Sequence, residues 1–186
     1  MKVRILVTAL GLALSAEAAQ AATLVLGGGD AQACYREAAR GSSANSTVVL
    51  CSRAIDTEAL DTHDRAATYV NLGVVLLRQR AWAQAIADFD IAIRIRPDLG
   101  DAWVNRGAAK LATARPADAL SDIDKAIELG VTEPEKAWVD RGYAHEALGD
   151  THAAYDDYTR ASELKPGWDL PKAELARFKV RPASQG

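Results

Sequence analysis

Gly73, Gly107 and Gly142 lie 34 and then 35 residues apart, and each carries the same neighbours with it. Four residues before each glycine stands an aromatic: Tyr69, Trp103, Trp138. Twelve residues after each stands an alanine (Ala85, Ala119, Ala154), followed at offsets of four and seven by Phe89 and Ala92, Ile123 and Ala126, Tyr158 and Ala161. Self-similarity with a period of about 34 residues marks a stacked array of helix-turn-helix units. Arrays of that kind usually bind rather than catalyse.

Spacings of three, four and seven put side chains on one helical face. Each copy therefore holds an aromatic-then-glycine helix followed by an alanine, large apolar, alanine helix. A glycine inside a helix costs roughly 1 kcal/mol relative to alanine. Three in register predict a second helix too close to the backbone for a side chain. The alanines are the small residues of that second helix, with Trp103 or Phe89 filling the space beside them.

At these residues the chain resembles the tetratricopeptide repeat family. Tyr69-Val70-Asn71-Leu72-Gly73, Trp103-Val104-Asn105-Arg106-Gly107 and Trp138-Val139-Asp140-Arg141-Gly142 stand where the family has its aromatic, leucine and glycine signature. Pro97 and Pro166 stand where it ends a repeat. Arg106 and Arg141 replace the family leucine, and Val131 replaces the middle repeat's terminal proline. The resemblance implies an all-α fold, a right-handed superhelical array of antiparallel helix pairs, with repeats at 66–99, 100–133 and 135–168.

The chain opens like an export signal. Lys2 and Arg4 precede an apolar stretch from Ile5 to Leu14, and Ala19-Gln20-Ala21 is a small-residue cleavage site. The apolar run is too short to span a bilayer comfortably. The expectation is a leader at 1–21, cleavage near Ala21 and a periplasmic or secreted mature protein with no membrane span. Removing Lys2, Arg4 and Glu17 changes 22 basic and 25 acidic residues to 20 and 24, a net charge of about −4. No basic stripe offers itself to phosphates, so no nucleic-acid partner is expected. Lipid attachment at Cys34 is disfavoured, because three glycines and an aspartate separate that residue from the apolar stretch.

Residues 22–65 read as a linker and a degenerate helical hairpin, with helices at 31–40 and 46–55 and a turn at 41–45. Cys51 precedes Ala54 by three, as Phe89 precedes Ala92, and so faces the first helix and Cys34. Outside the cytoplasm a disulfide would persist there. Two free thiols or a redox pair are the alternatives, the latter normally closer in sequence. At the other end, 169–180 reads as the helix that caps a solenoid's apolar face, and 181–186 as a loose tail. Thr132 and Glu135 fit a capping box, with Pro134 in the first turn. The run Gly27-Gly28-Gly29 lacks the lysine and hydroxyl residue of a phosphate loop and reads as the flexible start of the mature chain.

No catalytic constellation or cofactor motif emerges, and the expectation is a protein that is not an enzyme. His145 and His152 could meet across a turn and support metal-dependent hydrolysis with nearby aspartates. Their spacing matches no metal-ligand pattern. The acidic residues Asp88, Asp90, Asp122, Asp124, Asp156 and Asp157 recur on the second helices, where residues one or two apart diverge. They read as a solvated face, with Asp90 meeting Arg94 and Asp156 meeting Arg160.

In the family the first helices line a concave groove. The resemblance then implies three rows facing a ligand: Val70, Val104 and Val139; Asn71, Asn105 and Asp140; Val74, Ala108 and Tyr143. The amides suit a peptide backbone. They could equally tie neighbouring helices together while the valines pack. One subclass clamps the terminal carboxylate of chaperone tails with lysine or arginine where this chain has Val70, Val104 and Val139, so that role is not expected. Arg78, Arg106 and Arg141 remain as cations near the groove or packed between helices. The function expected is a protein-interaction module of the cell envelope holding a protein or peptide segment. Self-association as a structural component is the alternative.

Overall fold

The computed structural model describes residues 4–7 and 21–181. Most of the leader expected at 1–21 lies outside the described residues, as do residues 182–186 of the expected tail. Nine helices follow one another among the described residues: α1 (Gly29–Ala39), α2 (Asn45–Thr57), α3 (Thr62–Arg78), α4 (Trp82–Ile95), α5 (Gly100–Ala112), α6 (Pro116–Leu129), α7 (Pro134–Ala147), α8 (Thr151–Leu164) and α9 (Asp169–Leu175). Consecutive helices pack on each other, and α3 touches α5 as α5 touches α7. The first helices of the three repeats therefore line up along one side.

The repeated glycines are where the pairs close. A Cβ on Gly73 would lie 2.5 Å from the Phe89 ring, and one on Gly142 would lie 2.5 Å from the Tyr158 ring. At Gly107 it would stand 2.7 Å from Ile123 and 3.3 Å from the Ala119 carbonyl oxygen. The large apolar residue of the second helix, rather than its alanines, fills the space each glycine leaves. Phe89, Ile123 and Tyr158 are fully buried; burial of each side chain stabilises by roughly 2–3 kcal/mol.

A second device repeats at the end of each first helix. Arg80, Ala114 and Gly149 take positive φ of 61°, 56° and 85°. At each one, its own N–H and the next residue's N–H fold back onto carbonyls of the last turn, as with Arg80 onto Leu77 and Ala81 onto Leu76. This is the Schellman arrangement, which favours glycine. Gly41 (φ 86°) does the same after α1, so the pair α1/α2 ends its first helix as the repeats do. Cys34 and Cys51 are disulfide-bonded across that pair and fully buried.

The ends depart from expectation. The helix expected over 169–180 stops at Leu175, and the chain turns into β2 (Phe178–Arg181), antiparallel to β1 (Arg4–Val7), with Val7 opposite Phe178. Arg181 thus belongs to a strand rather than to a loose tail. Phe178 is drawn inward by edge-to-face contacts with Tyr155 and Tyr158, each at 5.8 Å. Arg177 is held by Glu146 and Glu174. Thr132 does not cap α7: Glu133 is the N-cap, and Thr132 gives its N–H and hydroxyl to Asp101 at 2.9 and 2.6 Å. Among the described residues no helix is long and apolar enough to cross a membrane.

Candidate binding groove

The aspartates of the second helices are not one solvated face. Arg106 in α5 donates to Asp122 in α6 at 2.7 and 2.8 Å and to Asp90 in α4 at 2.6 Å. Arg141 in α7 repeats the bridge between Asp157 in α8 at 2.7 Å and Asp124 in α6 at 3.2 Å. Asp122 and Asp157 are buried. Asp156 pairs with His152 at 3.2 Å and Arg160 with Glu163 at 3.1 Å, not with each other. Both arginines also lie over tryptophans, Arg106 at 4.7 Å from the Trp103 centroid and Arg141 at 4.1 Å from that of Trp138. These cations hold adjacent pairs together. Arg78, the third, donates to the carbonyls of Ala38 and Ser42 at the end of α1 and its following turn.

Where the groove was expected, the chain's own residues 21–27 lie against α3 and α5. Burial alternates along this extended strap: Ala21, Thr23 and Val25 are buried, whereas Leu24 and Leu26 are 51% and 71% exposed. Period-two burial is what an extended segment on a surface produces. Asn71 on α3 holds the strap at two points. Its Oδ1 accepts the Thr23 N–H at 2.8 Å and its Nδ2 donates to the Thr23 carbonyl at 2.9 Å. Asn105 on α5 donates from Nδ2 to the Ala21 carbonyl at 3.1 Å and to the Asp101 carbonyl at 2.8 Å. Its Oδ1, fully buried, receives no hydrogen bond from the described residues.

The strap's downstream end is fixed at the start of α3. Asp61 caps that helix by accepting the Asp64 N–H at 2.8 Å. The Asp64 carboxylate accepts the N–H groups of Leu26 and Gly27 at 2.9 and 2.7 Å. Burial pushes the Asp64 carboxyl up, but these hydrogen bonds and the neighbouring His63 outweigh it and hold the group below the usual carboxylate range. Val25 packs with Ala31, Ala54 and Ala67. Gly27-Gly28-Gly29 is accordingly an anchored bend, and Gly29 opens α1 with φ 74°.

All nine groove residues expected from the repeat frame are buried. Asn71 and Asn105 are brought together on the strap. Val70 and Val74 join the core around Phe89, Val104 and Ala108 pack with Ala126 and Ala137, and Val139 and Tyr143 pack around Tyr158. Tyr143 also donates to Glu174 at 2.9 Å, and burial raises its phenol far above the ordinary range. Asp140, next in the row after Asn105, is 1% exposed. Sequence reasoning missed the strap, Asp64 and Asp101. The short run Thr23-Leu24-Val25-Leu26, closed by Gly27, was its one available signal of an extended segment.

His145 lies 3.8 Å from Asp157, whereas His152 faces the exposed Asp156, so the two histidines serve different carboxylates. Asp61, His63 and Asp64 have ligand atoms within 4.8 Å of one another, but both Asp64 oxygens already accept backbone N–H groups.

Residues 135–167 match the family model described as "Tetratricopeptide repeat". The Hsp70-Hsp90 organizing protein of Triticum aestivum is 34% identical over 103 residues, 54% of this chain and 17% of that protein's length. The chain thus spans under a fifth of that relative. The first TPR of Spaghetti (RPAP3), bound to the HSP90 peptide SRMEEVD, is 27% identical with a TM-score of 0.59, covering 63% of this chain and 92% of that one. A MamA RS-1 double mutant is 18% identical with a TM-score of 0.64, covering 80% and 82%. The fold is a tetratricopeptide repeat solenoid, and the family is supported in sequence by its last helix pair, α7 and α8.

Proposed function

We propose that this chain is a non-enzymatic interaction module of the cell envelope that holds an extended partner segment along α3, α5 and α7. The observation that carries the reading is the two-point grip of Asn71 on the Thr23 peptide group: the groove already holds an extended backbone by its main-chain atoms. Backbone-directed bonds supply affinity with little dependence on sequence, and the pockets between them select side chains. The complex of the Spaghetti domain with its peptide supports a peptide-binding role for a scaffold of this shape. An acidic chaperone tail is a poor fit here. Asp64, Asp101 and Asp140 are buried in this region, and a carboxylate placed among them would be repelled. A neutral or basic segment suits the groove.

The Lys2 and Arg4 start, the apolar run and the Ala19-Gln20-Ala21 site support export with removal of the leader. N-terminal sequencing of the protein from its native cell tests that step; a chain still beginning at Met1 would overturn it. The groove is tested by capture from the cell envelope with the native protein beside an Asn71→Ala/Asn105→Ala variant first shown to fold. A partner kept by the native protein and lost by the variant supports the reading. A partner kept by both places binding elsewhere.

Self-association is retained as a second reading for one reason. The strand β1 that pairs with β2 falls within the leader expected at 1–21, and an edge strand left without its partner is a template for another chain. Dilution-dependent size of the processed protein would favour this reading.

A further inference from the structure

We propose that the segment from Ala21 to Gly27, of which residues 22–27 remain after cleavage near Ala21, is a tethered ligand of the chain's own groove, and that a partner enters by displacing it. The proposal rests on the groove reading above and adds its regulation. The strap's contacts are of the kind a second peptide could reproduce. Asn71 and Asp64 grip main-chain groups of Thr23, Leu26 and Gly27, which any non-proline residue offers. Only small side chains point inward, namely Ala21, Thr23 and Val25, and the large Leu24 and Leu26 point out. The hydroxyl contact of Thr23 with Asp101 is long, at 3.4 Å.

The strap also fits imperfectly. Asn71 uses both its donor and its acceptor on the strap. Asn105, equally buried and one repeat further along, uses only its donor, on the Ala21 carbonyl, and leaves Oδ1 without a hydrogen bond among the described residues. An unsatisfied buried acceptor is unfavourable. A peptide that presents an N–H at that register satisfies it and gains over the strap. The occupant that fits is an extended, uncharged or basic segment with small or β-branched residues at every second position, aligned as the strap is.

Tethering sets the size of the effect. A short flexible tether holds its ligand at a millimolar effective concentration, so an identical free peptide competes poorly until the tether's grip is weakened. Thr23→Pro removes the N–H that Asn71 accepts, without altering the groove or any helix. The test measures fluorescence anisotropy of a labelled peptide with the sequence of residues 21–27, titrated with the full native chain and with Thr23→Pro. Amide exchange at Leu26 and Gly27 is followed in both.

Protected strap amides in the native chain, with faster exchange and at least about tenfold tighter peptide binding in the variant, are expected. Val25→Ser, which loosens the strap through its side chain, should act in the same direction. Unprotected strap amides in the native chain would overturn the tethered ligand and leave the groove reading standing. Equal peptide affinity for native and released chains would do the same, making the strap a fixed part of the fold. A released strap in a folded variant that still binds no peptide would overturn the groove reading as well.

Discussion

Arg141 holds Asp157 through hydrogen bonds of 2.7, 3.1 and 3.2 Å, a cation on the first helix of a pair gripping a buried carboxylate on the second. Arg106 and Asp122 do the same one repeat earlier, with Lys110 adding a contact at 2.6 Å. The first repeat breaks the pattern. Its carboxylate is Asp88, but Leu72 and Leu76 stand where the later repeats have Arg106 and Lys110 or Arg141 and His145. Burial without that cation raises the Asp88 carboxyl to about 7.

The direction of the resulting pH dependence is fixed. A carboxyl titrating near 3.8 when unfolded and about 7 when folded favours the folded state below the lower value. That advantage is lost as pH rises through the upper one. Asp88→Asn removes the titration. Urea unfolding should show the variant more stable than the native chain at pH 8, by about 1 kcal/mol or more, and the gap narrowing toward pH 4.

Removing one partner of a buried pair leaves a stranded charge. Arg141→Leu should cost about 3 kcal/mol, because Asp157 is 2% exposed and burial already pushes its carboxyl up against the pull of Arg141. Arg141→Leu with Asp157→Asn should recover most of that loss. The double-mutant cycle in urea checks it, and additive losses would show that the pair is not coupled.

Backbone conformation separates two kinds of small residue. Gly142→Val drives a side chain into the Tyr158 ring and should cost about 3 kcal/mol or more. Ala114 has φ 56°, a conformation costing a residue with a Cβ roughly 1 kcal/mol. Ala114→Gly should therefore raise stability by up to about 1 kcal/mol, read as a higher thermal midpoint.

The Cys34–Cys51 bridge closes a loop with a sequence separation of 17. Its reduction should lower stability by roughly 3 kcal/mol in the chain-entropy account. The loss should be seen as earlier unfolding with reductant, and Cys34→Ala/Cys51→Ala should reproduce it without reductant.

The repeat frame was legible because its glycines, aromatics and alanines recur at fixed spacing, and helical geometry alone turns that spacing into faces. Asn71 and Asn105 could be singled out the same way. What eluded sequence reasoning occurs once rather than periodically. Asp101 has Ala67 and Lys136 in the matching places, and Asp64, although in register with Asp98 and Glu133, differs from them in what it holds; both roles depend on a strap distant in the chain. The arginine bridges were hidden for a related reason. Arg106 reaches Asp122, 16 residues away, across a turn, whereas local helix rules draw attention to neighbours four residues apart. The strand after α9 depends on a partner at the far end of the sequence, which no local pattern announces.

A solenoid closes mostly between neighbours in sequence, a topology that folds quickly. The strap is different: Asn105 holds the carbonyl of Ala21 across 84 positions. The upstream end of the strap is placed only after α5 exists. Asn71 and Asp64 on α3 can take Thr23, Leu26 and Gly27 earlier, but Ala21 has no seat until Asn105 is in hand. Closure of the strap over these helices is thereby timed by the length of chain already delivered.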